Sequence, residues 1–237
     1  VTFFNQNVLA PGALNLALDG YMNIGVIEAS GKGLGVTIGC DKDFEDVYCI
    51  SDVTELMDKK IQEYFTDIDL RALITTVAGR GTSYGRYFIM DLLDSEEETL
   101  ASYEITLKHE FGHIMARLND EYSDDWDAGS VDCETLDCGD VDLESNTTSE
   151  DTPEDLKWAH WITNIENVAG FDDGQSVEGI GMFEGTYYGP KTYRASFTNI
   201  MRDPYSDLDI FQENRTSADS NSFDLIASEA FIIHALK

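Results

Sequence analysis

The sequence predicts a mixed α/β (α+β) fold, with a mixed sheet, one chemistry-bearing helix and a C-terminal helix. Three observations carry that expectation. Short β-branched and aromatic runs broken by glycine occupy the first half of the chain. Apolar stripes at helical spacing alternate with them. The resulting order, strand, helix, strand, strand, helix, is that of helices packed on a sheet.

Taken in order, residues 20–39 read as strands and turns, with Tyr21-Met22-Asn23-Ile24-Gly25-Val26-Ile27 followed by Gly35-Val36-Thr37-Ile38-Gly39. Residues 51–65 change period: Val53, Leu56, Met57, Ile61, Tyr64 and Phe65 share one helical face, with Ser51 or Asp52 as cap. Residues 72–78 and 86–93 read as buried strands. Residues 99–118 read as a helix with Ile105, Phe111, Ile114, Met115 and Leu118 as apolar contacts. The stretch 119–155 holds 15 acidic residues and no Lys or Arg, and reads as a long surface excursion. Residues 153–168 are expected to be helical, with Pro153 in the first turn. Residues 179–202, rich in Gly and Tyr, read as hairpins or loops. Residues 222–236 read as an amphipathic helix with Phe223, Ile226, Ala230, Phe231 and Ile233 inward. No internal repeat is visible.

The 237 residues suffice to bury a core, and 42% are hydrophobic, which argues against wholesale disorder. The formal net charge is -31, from 15 basic and 46 acidic residues. Such a surface lacks the cationic face that nucleic acid or anionic lipid requires. No apolar run approaches the roughly 18 residues of a membrane span. Of three possible cysteine pairings, the local ones, Cys40–Cys49 and Cys133–Cys138, are expected in an oxidising compartment, which implies a secreted or cell-surface protein. Sequons at Asn146 and Asn214 lie in polar stretches and read as glycan sites in a host that glycosylates. Oligomeric state is left open.

The chemistry concentrates in His109-Glu110-Phe111-Gly112-His113, an H-E-x-x-H sequence inside the helix at 99–118. Histidines at i and i+4 lie on one face about 6 Å apart along the axis, so both imidazoles reach one Zn2+ ion. Glu110 then faces the open side of the metal, where it accepts a proton from the activated water and passes it to the leaving amine. The chain has only four histidines, so the pattern is unlike a chance surface pair.

A catalytic zinc needs a third protein ligand. The metzincin pattern fails, because Ala116 and Asn119 stand where its Gly and third His belong. Asp120 is the first candidate; in a continued helix it would be about 10 Å from His113 along the axis, so it reaches the metal only if the chain turns back after Leu118. Glu121 and a distant histidine, His160 or His234, remain alternatives.

His109-Glu110-Phe111-Gly112-His113 followed by Leu118, then Asp120-Glu121-Tyr122, resembles the IgA-peptidase family of bacterial zinc metallopeptidases. Looser matches follow in order. They are Tyr21-Met22-Asn23-Ile24, Ala29-Ser30-Gly31, Lys157-Trp158, Tyr187-Tyr188, Tyr193-Arg194, Asn199-Ile200-Met201-Arg202 and Glu229-Ala230. The chain departs from the family at Ala116-Arg117, where a Gly pair is usual, and at Ala195, where a Pro is usual.

The resemblance implies a zincin-like fold for 1–237, a single zinc metallopeptidase catalytic domain with an acidic insertion at about 123–155. It also implies Met201 in a turn beneath the metal, with a protein or peptide as substrate. Tyr193 or Tyr205 is a candidate phenol for the oxyanion. The expected function is a secreted zinc-dependent endopeptidase. The alternative is an inactive zincin-like extracellular module. Calcium is a further expectation, since Asp41–Asp46 and Asp203–Asp209 are oxygen-rich, although neither has EF-hand spacing. The acidic rim is expected to favour cationic peptides, with a preference that fades in salt.

Overall fold

The computed structural model describes residues 36–39, 47–65, 70–91, 100–122, 141–166, 168, 170, 179–187, 189–197, 199–202 and 223–235. Cys40, Cys133, Cys138, Tyr205, Asn214, both oxygen-rich segments and the expected strands before residue 36 lie outside them. The described elements make a mixed α+β protein with two small sheets and few helices. The chain divides into two units, Val1–Met115 and Ala116–Lys237.

In the first unit, helix α1 spans Ile50–Gln62, strands β1, β2 and β3 span Arg71–Thr75, Thr82–Tyr84 and Tyr87–Asp91, and helix α2 spans Leu100–Ala116. The sheet order is β1-β3-β2, parallel between β1 and β3 and antiparallel between β2 and β3. Phe88, Ile89 and Met90 are buried in succession, as expected of a central strand covered on both faces. Gly85, with φ +61°, supplies the backbone that a two-residue hairpin between β2 and β3 requires. Tyr48, Met57 and Ile89 form the buried centre of this unit, with Ile61, Leu73 and Tyr87 packed around it. Asp58 on α1 ties the helix to the sheet. It pairs with Arg71 at 2.6 Å and accepts the Tyr87 hydroxyl at 2.7 Å. Burial, reinforced by that bond, holds the Tyr87 phenol above its ordinary pKa.

Helix α1 stops short of the expected residue 65. The N–H groups of Tyr64 and Phe65 both turn back to the Ile61 carbonyl, and Tyr64 is left exposed rather than inward. Ile38 bridges Tyr48 in antiparallel fashion, so the end of the expected 35–39 strand is paired.

In the second unit, β4 spans Thr147–Thr148, β5 Phe183–Thr186, β6 Gly189–Arg194, and helix α3 Leu225–Ala235. The sheet order is β4-β6-β5, antiparallel throughout. The expected hairpin region is thus β5–β6, with a register shift between Glu184 and Thr186. The buried Arg194 guanidinium donates to the bulge carbonyls of Glu184, at 2.7 Å, and Gly185. Trp158, fully buried, centres a core with Leu156, Val168, Met182, Ala195 and Ile226. Asp224 caps α3, its Oδ1 accepting from the Ala227 N–H at 2.7 Å. Phe223, Ile226, Ala230 and Phe231 face inward as expected. Ile233 is 45% exposed instead.

Two expectations are corrected here. Where 153–168 was expected to be helical, residues 153–166 form turns and a short 3-10 segment, Ala159–Trp161, rather than an α-helix. Long-range bonds outcompete the local ladder: Lys157 Nζ donates to the carbonyls of Glu144 (2.7 Å) and Thr147 (2.6 Å), and the Trp158 indole donates to Gly181 O (2.7 Å). The acidic stretch is not a solvated excursion to its end either. Val141, Asn146, Thr147 and Thr148 are buried, and β4 joins the sheet.

Asp142 holds this entry into the sheet. Its carboxylate accepts from Thr148 Oγ1 and the Ser149 N–H, both at 2.9 Å, and from the Ser149 hydroxyl, with Lys157 at 3.8 Å. Burial alone would raise its pKa, but the Ser149 and Thr148 bonds prevail and hold it below the ordinary 3.8. A carboxyl lowered in the folded state contributes stability that is present above its unfolded pKa and lost as pH falls through its folded pKa. Asp142→Asn is therefore expected to lower the melting temperature at neutral pH, with the gap to wild type closing in acid. Thermal unfolding followed between about pH 6 and pH 2 checks it.

Candidate metal centre

The H-E-x-x-H residues sit in the last turns of α2, where His109 and Glu110 are buried beside Phe111 and Ile114. Packing of these apolar neighbours fixes the helix rotation and so aims both imidazoles to one side. The two Nε2 atoms stand 3.2 Å apart, with the rings edge to face at 4.8 Å between centroids. Two nitrogens bound at about 2.0–2.1 Å to one tetrahedral ion lie about 3.3 Å apart, so the pair is spaced for a shared metal.

Asp120 joins them. One ligand atom from each of His109, His113 and Asp120 lies within 4.8 Å of the others, a group that can hold a metal ion. All three belong to twelve consecutive residues, so the grouping is set by the path of the chain just past α2. The helix ends at Ala116, and Arg117 takes φ +52°, a left-handed conformation more usual for glycine. The reversal thus comes at Arg117, one residue before Leu118, and is made without a glycine. Two imidazoles and a carboxylate suit zinc as a donor set.

The turn carrying Asp120 is clamped on both sides. Asn146 accepts the Asn119 N–H at 2.9 Å and donates to the Asn119 carbonyl at 2.8 Å. The Asp120 carbonyl accepts from the Tyr187 N–H at 3.4 Å, and the Glu121 N–H donates to the Met201 carbonyl at 2.9 Å. Glu121 itself is 1% exposed, with one oxygen bonded by Asn146 and the other by Asn199, each at 2.9 Å. Burial, with the Asp224 charge adding to it, raises the Glu121 pKa well above its ordinary value; the two amides and Arg202 pull the other way. Glu121 is therefore a buried anchor and stands outside the metal group.

The remaining candidates take other places. Met201 is fully buried, and its main chain serves the clamp: its N–H donates to Asn199 Oδ1 at 2.8 Å. Tyr193 packs against the Trp158 core, and burial raises its pKa. His160 pairs with Glu229 at 3.2 Å, and His234 sits in the last turn of α3. Cys49 is the one cysteine among the described residues, and it is buried.

Sequence reasoning missed four contributors. Asn146, read from its sequon as a glycan site only in a host that glycosylates, is fully buried, and its amide nitrogen is spent on Asn119 and Glu121. Asn199 and Tyr122 stood in recognised motifs without a role. Gly81, just before β2, lies against the helix: a Cβ there would meet Thr106 Cγ2 at 2.8 Å and Glu110 Oε1 at 3.1 Å. Only the glycine itself signals that closeness, and glycines are too common to be read that way from sequence.

In comparisons with known proteins, the chain matches no family model and no curated protein.

The left-handed residue after α2 carries its own test. Arg117→Gly is expected to raise stability by up to about 1 kcal/mol, since an L side chain is strained there, whereas Arg117→Val lowers it. Denaturant unfolding of the two variants measures both.

Proposed function

We propose that this chain is a secreted zinc-dependent endopeptidase of zincin-like fold, akin to the IgA-peptidase family. The observation that carries the reading is the pairing of His109 and His113 nitrogens at 3.2 Å, with Asp120 in the same group and Glu110 buried between them in sequence. His109, His113 and Asp120 would hold the ion. Bound zinc supplies Lewis acidity, polarising a peptide carbonyl and making water nucleophilic at neutral pH.

The other steps belong to the chain. Glu110 accepts a proton from the attacking water as its oxygen adds to the scissile carbonyl carbon. It then delivers that proton to the amide nitrogen as the C–N bond breaks, leaving a carboxylic acid and an amine. Burial of Glu110 keeps bulk water from competing for that proton. Strand β2 supports a peptide as substrate: among the described residues it lies at the end of the first sheet, beyond the Val47–Arg80 bridge, and Gly81 just before it abuts the Glu110 side chain. An extended peptide laid along such an edge would bring its backbone to the general base.

Secretion and the pairings Cys40–Cys49 and Cys133–Cys138 belong to the same reading. Among the described residues, no helix is long and apolar enough to cross a membrane.

Three measurements check the proposal. Glu110→Gln should retain the metal yet lose at least about a hundredfold in peptide hydrolysis, and chelation should abolish wild-type cleavage until zinc is restored. Full activity in the variant, or in chelator, would sink the mechanism. Peptide mapping without reductant should recover Cys40 linked to Cys49 and Cys133 linked to Cys138.

A further inference from the structure

The metal group supplies three ligands, but a carboxylate ligand is useful only if its plane is held. Asp120 follows a turn rather than lying within a helix, so its orientation must come from neighbours. The clamp described above fixes its main chain, through Asn146 on Asn119 and Met201 on Glu121. Neither contact sets rotation of the carboxylate about its own Cβ–Cγ bond. A neighbouring phenol does. The Tyr122 hydroxyl stands 3.0 Å from Asp120 Oδ2 and donates to it, since an ionised carboxylate only accepts.

The Tyr122 ring is held in turn. It lies edge to face against Tyr187, with 6.1 Å between centroids, and Tyr187 sits at the β5–β6 connection. The N–H of the same Tyr187 donates to the Asp120 carbonyl. One hairpin tip therefore supports both the main chain of Asp120 and the phenol that meets its side chain.

We propose that Tyr122 is a positioning residue for the metal: its phenol orients the Asp120 carboxylate toward the ion shared with His109 and His113. The inference rests on the metal-site reading above. Outer hydrogen bonds of this kind raise metal affinity by about 10–100-fold.

The test uses the full chain and two ions, Zn2+ for affinity by chelator competition and Co2+ for visible absorption. Tyr122→Phe keeps the ring on Tyr187 and removes only the hydroxyl. It should bind Zn2+ about 10–100-fold more weakly and shift the Co2+ bands, with the circular dichroism spectrum unchanged. Tyr122→Leu is the control for packing. It removes the ring as well as the hydroxyl, and its Zn2+ affinity should fall no more than about threefold below that of Tyr122→Phe, well inside the span expected for a lost hydrogen bond. Wild-type affinity and an unchanged Co2+ spectrum in Tyr122→Phe would overturn the inference while leaving the metal site standing. A loss found in Tyr122→Leu but not in Tyr122→Phe would reduce Tyr122 to packing and overturn it too. A wild-type chain that binds neither ion would overturn the metal-site reading itself.

Discussion

The structure around the candidate centre depends on one buried carboxylate. Glu121 is enclosed, and its two oxygens are each met by an amide from a different part of the chain, Asn146 before β4 and Asn199 after β6. A carboxyl group in such a place is tolerable only while its donors are present; leaving one of its oxygens unsatisfied costs about 1–3 kcal/mol, and more when the group is charged. The constraint is therefore mutual. The two asparagines must be brought together for Glu121 to be buried, and Glu121 must be buried for the preceding residue to stand where it does. Asn199 extends the network to Ser196 Oγ at 2.9 Å and to Asp224 Oδ2 at 3.0 Å, and Asp224 also caps α3. The C-terminal helix, the Met201 turn and the Asp120 turn thus share one set of hydrogen bonds.

The centre combines a local device with a distant one. Spacing along α2 sets the two imidazoles with no help from elsewhere, because i and i+4 share a face. The carboxylate has no such guarantee. It relies on a left-handed residue at 117 to reverse the chain and on residues 26 to 81 positions further along, Asn146 to Met201, to hold it. Arg117 rather than glycine at that point means the turn is imposed by its surroundings rather than preferred by its own backbone.

What the sequence made legible follows the same division. The helix that carries the candidate site, its paired histidines, Glu110 beside them and the inward face of the C-terminal helix all rest on spacing within a few residues. Asp120 was within reach of reasoning because its requirement, a chain reversal, could be stated geometrically. What escaped were the non-local bonds. Residues 153–168 have a helical look, yet Lys157 reaches back to carbonyls at 144 and 147, and Trp158 reaches forward to Gly181. The amides of Asn146 and Asn199 are 53 residues apart and carry no periodicity by which to find each other.

The burial of Asn146 has a consequence for where the protein can be made. Asn146-Thr147-Thr148 is a glycosylation tripeptide, and a sugar would be attached through the very nitrogen that donates to Asn119 and Glu121. Glycosyl transfer needs an accessible, extended acceptor, which this segment is only before β4 closes on β6. In a eukaryotic secretory pathway the nascent chain enters a race between sheet closure and sugar transfer, and a chain modified first is barred from the native state. Yield there is governed by the rate of folding rather than by the stability of the finished protein. A host without the transferase imposes no such race.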